Sequence, residues 1–337
     1  MDIAVQPVAL IARVTTFLLN CLHCAIITGA LGGLFTSPAV AADTRLVSVA
    51  DGGGVISREP NGELRPDSRA SSASSDDGRY TVFISSANNL TDNITENDDR
   101  IYQVYRHDAL TDTVEAVSAN AAGELAIGGA TQPSVSADGQ WIVFLSAANN
   151  LLPLDSNVDQ VYLRNMATGT LTLVSSSNTG AFGNNDSRNP VISGDGSTIA
   201  FTSFATNLVA DNLNALINVY VYNRAANTTS LVSKTSAGVG ADENSDNASI
   251  SDDGTRIAFD SQSTNLIPEQ VNSEQQVYLA NLTTNEISIV STSATNVAGD
   301  SPSDSPVISG NGLHVAFRSE ATAVSYTHLT LPTIYPV

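Results

Sequence analysis

The chain has 337 residues, 42% of them hydrophobic and only 14% charged, which is enough apolar material for a sizeable core and argues against disorder. Thirty-four acidic residues against fourteen basic ones leave a formal charge of −20, which repels phosphate backbones and anionic bilayers, so nucleic acid is excluded as an expected partner.

The first element in chain order is apolar. "VTTFLLNCLHCAIITGALGGLF" (Val14 to Phe35) follows a single positive side chain, Arg13, and runs into "SPAVAADT". Small residues at Ala39 and Ala41 fit a cleavage site, so residues 1–42 read as a signal peptide cut after Ala41 or Ala42, with no membrane insertion once it is removed. The run is also long enough to span a bilayer as an uncleaved anchor. Cys21 and Cys24 both fall inside it, leaving the mature part without cysteine and therefore without disulfides, thiolate nucleophiles or cysteine-ligated metals. Export and a thiol-free chain together point to a bacterial periplasm or exterior.

From residue 43 to residue 323 the sequence repeats. Gly78, Gly139, Gly196, Gly254 and Gly312 head equivalent phrases at spacings of 61, 57, 58 and 58. Each has a phenylalanine five residues later (Phe83, Phe144, Phe201, Phe259, Phe317), and the first four have a leucine twelve residues later (Leu90, Leu151, Leu208, Leu266). Within the third unit "PVIS" leads to Asp195-Gly196, a favoured hairpin turn in which both positions tolerate positive φ. The strand-like "TIAFTS" follows, then a polar loop, the alternating "NVYVYNR", a tight turn at Ala226-Asn227, and "TTSLVS". The matching second turns are Thr111-Asp112, Thr168-Gly169 and Thr284-Asn285.

Four strands per unit form an antiparallel meander that cannot cover both of its own faces, so copies must stack. Radial stacking predicts an all-β fold, a β-propeller of four-stranded antiparallel blades. The period is too long for a β-helix or leucine-rich solenoid and too short for an immunoglobulin array. Blades are expected near 72–118, 133–175, 190–233 and 248–291, with a partial one at 306–323. "TRLVS" (44–48) reads as a detached fourth strand that closes the ring, which would hold six or more blades when intact. "VSYTHLTLPTIYPV" (324–337) breaks the repeat and resembles translated sequencing-adapter read-through, so it is expected to be non-native, with the gene running on.

The Pro-x-x-Ser-x-Asp-Gly phrase, present at Pro133 to Gly139 and Pro190 to Gly196, resembles the WD-like repeat of the TolB family propeller and of the propeller domains of prolyl-oligopeptidase relatives. It weakens elsewhere, where Ser72 and Ala248 replace the proline and Asn311 the aspartate. The TolB family has an α/β domain ahead of its propeller, whereas residues 43–71 are too few and too rich in Gly and Ser to build one. The resemblance implies the fold and serves binding, scaffolding and catalysis alike.

No residue is assigned as catalytic, cofactor-binding or metal-binding. The long loops are rich in side-chain oxygen, and Asp155, Asn157 and Asp159 alternate like the start of a calcium loop, but no glycine at position six or glutamate at position twelve follows. Calcium is thus the only cofactor the loops suggest. His107 and His314 fall within repeat strands, and no Gly-x-Ser-x-Gly elbow exists. Trp141 reads as packing, and no repeat stands out as displaying a pair of carboxylates. The expected function is that of an exported, monomeric, non-enzymatic propeller. It would engage a protein, peptide or envelope component through its long-loop face. The alternative is the propeller part of a prolyl-oligopeptidase-like hydrolase or a polysaccharide lyase.

Overall fold

The computed structural model describes residues 72–87, 90–91, 101–153, 157–210, 215–267, 272–293, 295–322 and 324. All belong to the larger of two compact units, Leu46–Val337; the smaller, Met1–Arg45, lies outside the described residues, as do the expected strand at 44–48 and residues 325–337.

All regular structure among the described residues is β. Sheet one is β1 (Ala73–Ser74), β2 (Tyr80–Ser85), β3 (Gln103–Asp108) and β4 (Thr113–Ala116); sheet two is β5 (Thr131–Val135), β6 (Trp141–Ser146), β7 (Gln160–Asn165) and β8 (Leu171–Leu173). Sheet three is β9 (Ser187–Ile192), β10 (Thr198–Ser203), β11 (Asn218–Asn223) and β12 (Thr228–Leu231); sheet four is β13 (Ser245–Ile250), β14 (Arg256–Ser261), β15 (Gln276–Asn281) and β16 (Glu286–Ile289). Sheet five has two strands, β17 (Ser303–Ile308) and β18 (Val315–Ser319). In every sheet spatial order equals chain order and neighbours are antiparallel.

Three apolar clusters lie between sheets, and a fourth (Phe83, Leu90, Tyr105 and Val114) belongs to sheet one alone among the described residues. One joins Val82, Val104 and Val117 of sheet one to Ile142, Phe144 and Tyr162 of sheet two. A second joins Val143, Leu163 and Val174 of sheet two to Ile199, Phe201, Tyr220 and Leu231 of sheet three, and a third carries Ala200 and Val219 onto Ile257, Phe259 and Tyr278 of sheet four. Sheets two and three thus bury both faces on their neighbours. On the short-turn side, main-chain bonds pass from unit to unit. Asp76 N–H donates to Ala137 (3.1 Å), Ala137 to Gly194, Asp195 to Asp252 and Asp252 to Gly310 (2.8 Å each). Face-to-face packing in chain order, with equivalent turns bonded in series, is the β-propeller arrangement.

Two expectations about local structure change. In the first turn only glycine takes positive φ (Gly196, +67°); Asp195 does not. Its carboxylate instead accepts Ser193 Oγ (2.5 Å) and Ser197 N–H (2.9 Å), while Gly196 N–H donates to Ser193 O (2.9 Å), closing a four-residue turn. The first strand of each later unit also begins earlier than expected, at Thr131, Ser187, Ser245 and Ser303, ahead of Pro133, Pro190, Ala248 and Pro306. The proline lacks an N–H and seemed to mark the strand's start, but a bulge places it where the ladder is already interrupted.

The second turns behave as read: Asp112, Gly169, Asn227 and Asn285 take φ between +52° and +71°. The polar end of the repeat phrase has a definite use. Asn207 Nδ2 donates to Phe182 O and its Oδ1 accepts Asn184 N–H (2.9 Å each), clasping the connection that enters the sheet; Asn150 and Asn265 do the same at Leu125 and Gly240.

Each four-stranded sheet also holds a buried polar clasp. In sheet two Ser175 Oγ donates to Gln160 Oε1 (2.5 Å) and accepts Val161 N–H (2.9 Å), while Gln160 Nε2 donates to Gly183 O (2.8 Å). Ser118 with Gln103, Ser233 with Asn218 and Ser291 with Gln276 repeat the Ser-to-amide bond. Replacing Ser175, fully buried, by alanine takes the side-chain acceptor from Val161 N–H and is expected to cost about 1–3 kcal/mol in urea unfolding. A loss below measurement error would show the clasp to be energetically idle.

Candidate functional site

The first strands of sheets two to five converge, and each bends at its bulge. The residue at the bend adopts left-handed backbone without being glycine: Gln132 (φ +52°), Asn189 (+51°), Asn247 (+53°) and Ser305 (+53°). Three of the four precede proline, whose ring presses the preceding residue toward extended backbone. Such conformations are tolerated best by asparagine and cost more at Gln132 and Ser305, and strained backbone of this kind clusters at ligand sites. These four, with Pro133, Pro190, Val191, Pro306 and Val307, line a cavity of about 690 Å³ that Ile84 of β2 and Tyr102, just ahead of β3, complete. The bends fall in the half of each strand adjoining the long connections.

A hydrogen-bonded belt links the bends. Asn189 N–H donates to Gln132 Oε1 (2.8 Å), and Asn189 Nδ2 donates to Asp246 Oδ1 (3.0 Å), which also accepts Asn247 N–H (2.8 Å). Asn247 Nδ2 and Ser305 N–H both donate to Asp260 Oδ2 (2.9 and 3.0 Å), and Gln275 Nε2 donates to Asp260 Oδ1 (2.9 Å). The strain is therefore held by partners drawn from successive sheets, and the walls are pre-organised before any ligand arrives.

Asp260 was not singled out by the sequence reading, although the repeat carried a signal. The position six residues after the turn glycine is Ile84, Leu145 and Thr202 in the first three units and Asp260 in the fourth. Asp260 sits opposite Asp246 in the strand register, so one repeat does display a carboxylate pair, contrary to expectation. Burial raises the Asp260 pKa, against the lowering effect of its donors from Asn247, Ser305 and Gln275. Elsewhere this rung is complementary: Arg318 grips Asp304 through two bonds (2.9 and 2.5 Å).

Of the other residues weighed as candidate sites in the sequence, none that the structure describes lines the cavity. His107 is buried, and its Nε2 meets Asp112 Oδ1 at 3.1 Å, pinning its own second turn as the Tyr222 hydroxyl pins Asn227 (2.8 Å). Trp141 packs on Gly196 and lies under Arg224, whose guanidinium carbon is 3.9 Å from the ring centroid, so it is packing as read. Asp155 lies outside the described residues; Asp159 is half-buried, and burial and then Asp186 raise its carboxyl. Among the described residues no group of three or more His, Cys, Asp or Glu could hold a metal ion.

The charges at the turns set a pH dependence. Ser75 and then Arg79 N–H hold Asp77 below the ordinary 3.8, and Ser251 and then Thr255 N–H do so for Asp253. Lowered carboxylates contribute stability that is present above 3.8 and lost as pH falls through their folded-state values. Asp260 runs the other way, its contribution largest below 3.8 and declining as pH rises through its raised value. The fifth unit supplies a natural control, since Asn311 Oδ1 accepts the same two bonds, from Ser309 Oγ (2.7 Å) and Leu313 N–H (3.0 Å). Asp253→Asn is therefore expected to keep the turn and flatten part of the fall in Tm between pH 5 and pH 3, two values chosen to bracket about 3.8. An unchanged pH profile would contradict the assignment.

No family model and no curated protein matches this chain. Solved structures do. TolB from Acinetobacter baumannii is 18% identical with a TM-score of 0.42, covering 73% of this chain and 47% of its own. The putative TolB from Agrobacterium tumefaciens is 13% identical with a TM-score of 0.41, covering 65% and 63%. An oligogalacturonate lyase in complex with manganese is 14% identical with a TM-score of 0.42, covering 71% and 55%. TolB and related β-propeller proteins are thus its structural neighbours. The chain spans between 47% and 63% of the length of these three. At such identities the likeness concerns fold alone, and the fold stands on the sheet order and inter-sheet packing described above.

Proposed function

We propose that this chain is an exported, non-catalytic propeller of the bacterial envelope or exterior that binds a protein, peptide or envelope component. The contact would lie where the inner strands meet the long connections. One observation carries the reading: four non-glycine residues in left-handed conformation, tied into a belt, ring a cavity whose apolar wall is supplied by residues such as Pro133, Pro190, Val191, Pro306 and Val307. Apolar walls with a few fixed amides suit an extended segment that brings its own main-chain polar groups. The expected export rests on residues 1–42, and the net charge of −20 disfavours an anionic partner.

A photo-crosslinking amino acid placed at Val191, inside the cavity, and separately at Leu110, which is 74% exposed at an outer turn, tests this. In a bacterial envelope extract the Val191 probe is expected to give a discrete adduct that the Leu110 probe does not. Equal labelling from both positions would remove the cavity from consideration.

A further inference from the structure

Three of the turn glycines have their carbonyls capped by an arginine. Gly139 O accepts Arg106 Nη1 (2.8 Å), Gly196 O accepts Arg224 Nε (2.7 Å) and Gly312 O accepts Arg256 Nη1 (2.7 Å). The guanidinium comes from a different position each time. Arg106 is the fourth residue of the preceding unit's third strand, Arg224 follows the same unit's third strand, and Arg256 opens the preceding unit's second strand.

For Gly254, in the fourth unit, these three positions hold Val221, Leu282 and Thr198, and among the described residues no side chain donates to its carbonyl. All three line a groove of about 490 Å³ together with Gly254 itself. The groove lies between sheets three and four, both four-stranded, and every residue that lines it is described. Two charged side chains share it. Lys234, the one lysine of the chain, stands where the other units have Ala119, Ser176 and Thr292; it is half-buried and makes no ion pair among the described residues. Asp253 accepts Ser251 Oγ, Thr255 N–H and Thr255 Oγ1 on Oδ1 alone (2.6, 3.0 and 2.9 Å), which leaves Oδ2 without a partner among the described residues. The groove thus offers acceptors suited to a guanidinium and a cation suited to a carboxylate.

We propose that this groove binds a small zwitterion of the arginine type, its guanidinium donating to Gly254 O and Asp253 and its carboxylate pairing with Lys234. The chain's own contacts choose the guanidinium, since that group caps the equivalent carbonyl at Gly139, Gly196 and Gly312. A planar fork of donors can serve a main-chain carbonyl and a neighbouring carboxylate at once, which an ammonium does less well. The net charge of −20 draws a cation toward the surface, and Lys234 then favours a molecule that also carries an anionic group. The groove shares no lining residue with the inner-strand cavity, so either site can fail without the other.

Isothermal titration calorimetry of L-arginine into the full chain at low salt tests this. A single site is expected, with Kd on the order of 0.1 mM. Citrulline keeps the shape and the carboxylate but lacks the guanidinium charge, and should bind at least about tenfold more weakly. Agmatine lacks the carboxylate and should bind about fivefold more weakly than arginine, a difference that Lys234→Ala should erase. L282R places a guanidinium where Arg224 stands in the third unit, and should abolish arginine binding without lowering Tm. Lys234→Ala alters a half-buried side chain with no ion pair among the described residues, so it keeps the test decisive if L282R fails to fold. Arginine binding no tighter than that of citrulline would overturn the proposal. So would binding left unchanged by L282R in protein with an undisturbed melting curve. Tighter binding of agmatine than of arginine by the unaltered chain would assign the attraction to overall negative charge and overturn it as well.

Discussion

Gly139→Ala is expected to destabilise the protein by about 3 kcal/mol, while Gly78→Ala at the same turn position costs about 1 kcal/mol. Both glycines sit at φ +69°, so the penalty for placing a side chain in left-handed backbone is common to the two. Their surroundings differ. A Cβ on Gly78 meets nothing within 4 Å among the described residues, whereas one on Gly139 would lie 2.6 Å from Tyr80 Cγ and closer still to Cδ2, with Tyr80 anchored in the preceding sheet. Those are the near atoms of an immobilised ring, which cannot swing away, so the added methyl must displace backbone. The difference between the two substitutions isolates the contact between sheets from the turn. Urea unfolding with an unchanged m-value measures it. Equal costs would mean that the glycine recurs for turn geometry alone.

Phe201→Ala should cost about 3–5 kcal/mol. Phe201 is fully buried, stacks on Tyr220 with centroids 5.7 Å apart, and belongs to the cluster that unites sheets two and three. Its removal leaves a cavity bounded by two sheets, each held in place by its other neighbour, so collapse to refill the space is resisted. The Tyr220 hydroxyl still donates to Ala205 O (3.2 Å) and holds its ring in position, which further limits relaxation. Phe317→Ala, made at the half-buried equivalent, which has no stacked tyrosine among the described residues, should cost less than half as much. Loss of under about 1 kcal/mol for Phe201→Ala would contradict a core placed between sheets.

The two substitutions draw on features that differ in how plainly the sequence shows them. The unit and its stacking are legible because burial on both faces demands the same apolar residues at the same register each time, and Phe83 through Phe317 recur without drift. The turns are legible because positive φ restricts residue choice, as at Gly196 and Asn227. The candidate site is not legible in the same way, for physical reasons. Asn189 and Asn247 look like ordinary loop residues, since asparagine is at home both in turns and in left-handed bulges. Pro190 disguises the strand's true beginning at Ser187, because a lost N–H ordinarily ends a ladder and only the bulge makes it harmless. Asp260 could have been found by comparing the four units position by position, where a carboxylate follows isoleucine, leucine and threonine. The belt that buries it could not, because its donors come from Asn247, Gln275 and Ser305, whose proximity is a product of the stacking itself.

Disulfide trapping tests the stacking most directly, since Cys21 and Cys24 are the only cysteines and can be replaced by serine. A Cβ on Gly196 would lie 3.4 Å from Ser136 Cβ in the preceding sheet, and one on Gly312 would lie 3.3 Å from Ser251 Cβ, close to the range of about 3.5–4.5 Å that a disulfide spans. Under mild oxidation the pairs Ser136→Cys with Gly196→Cys, and Ser251→Cys with Gly312→Cys, should each close an intramolecular bridge. Ser136→Cys with Gly254→Cys, which skips a sheet, should not. Bridging by the skipped pair, or by neither adjacent pair, would contradict successive sheets packed face to face around a common axis.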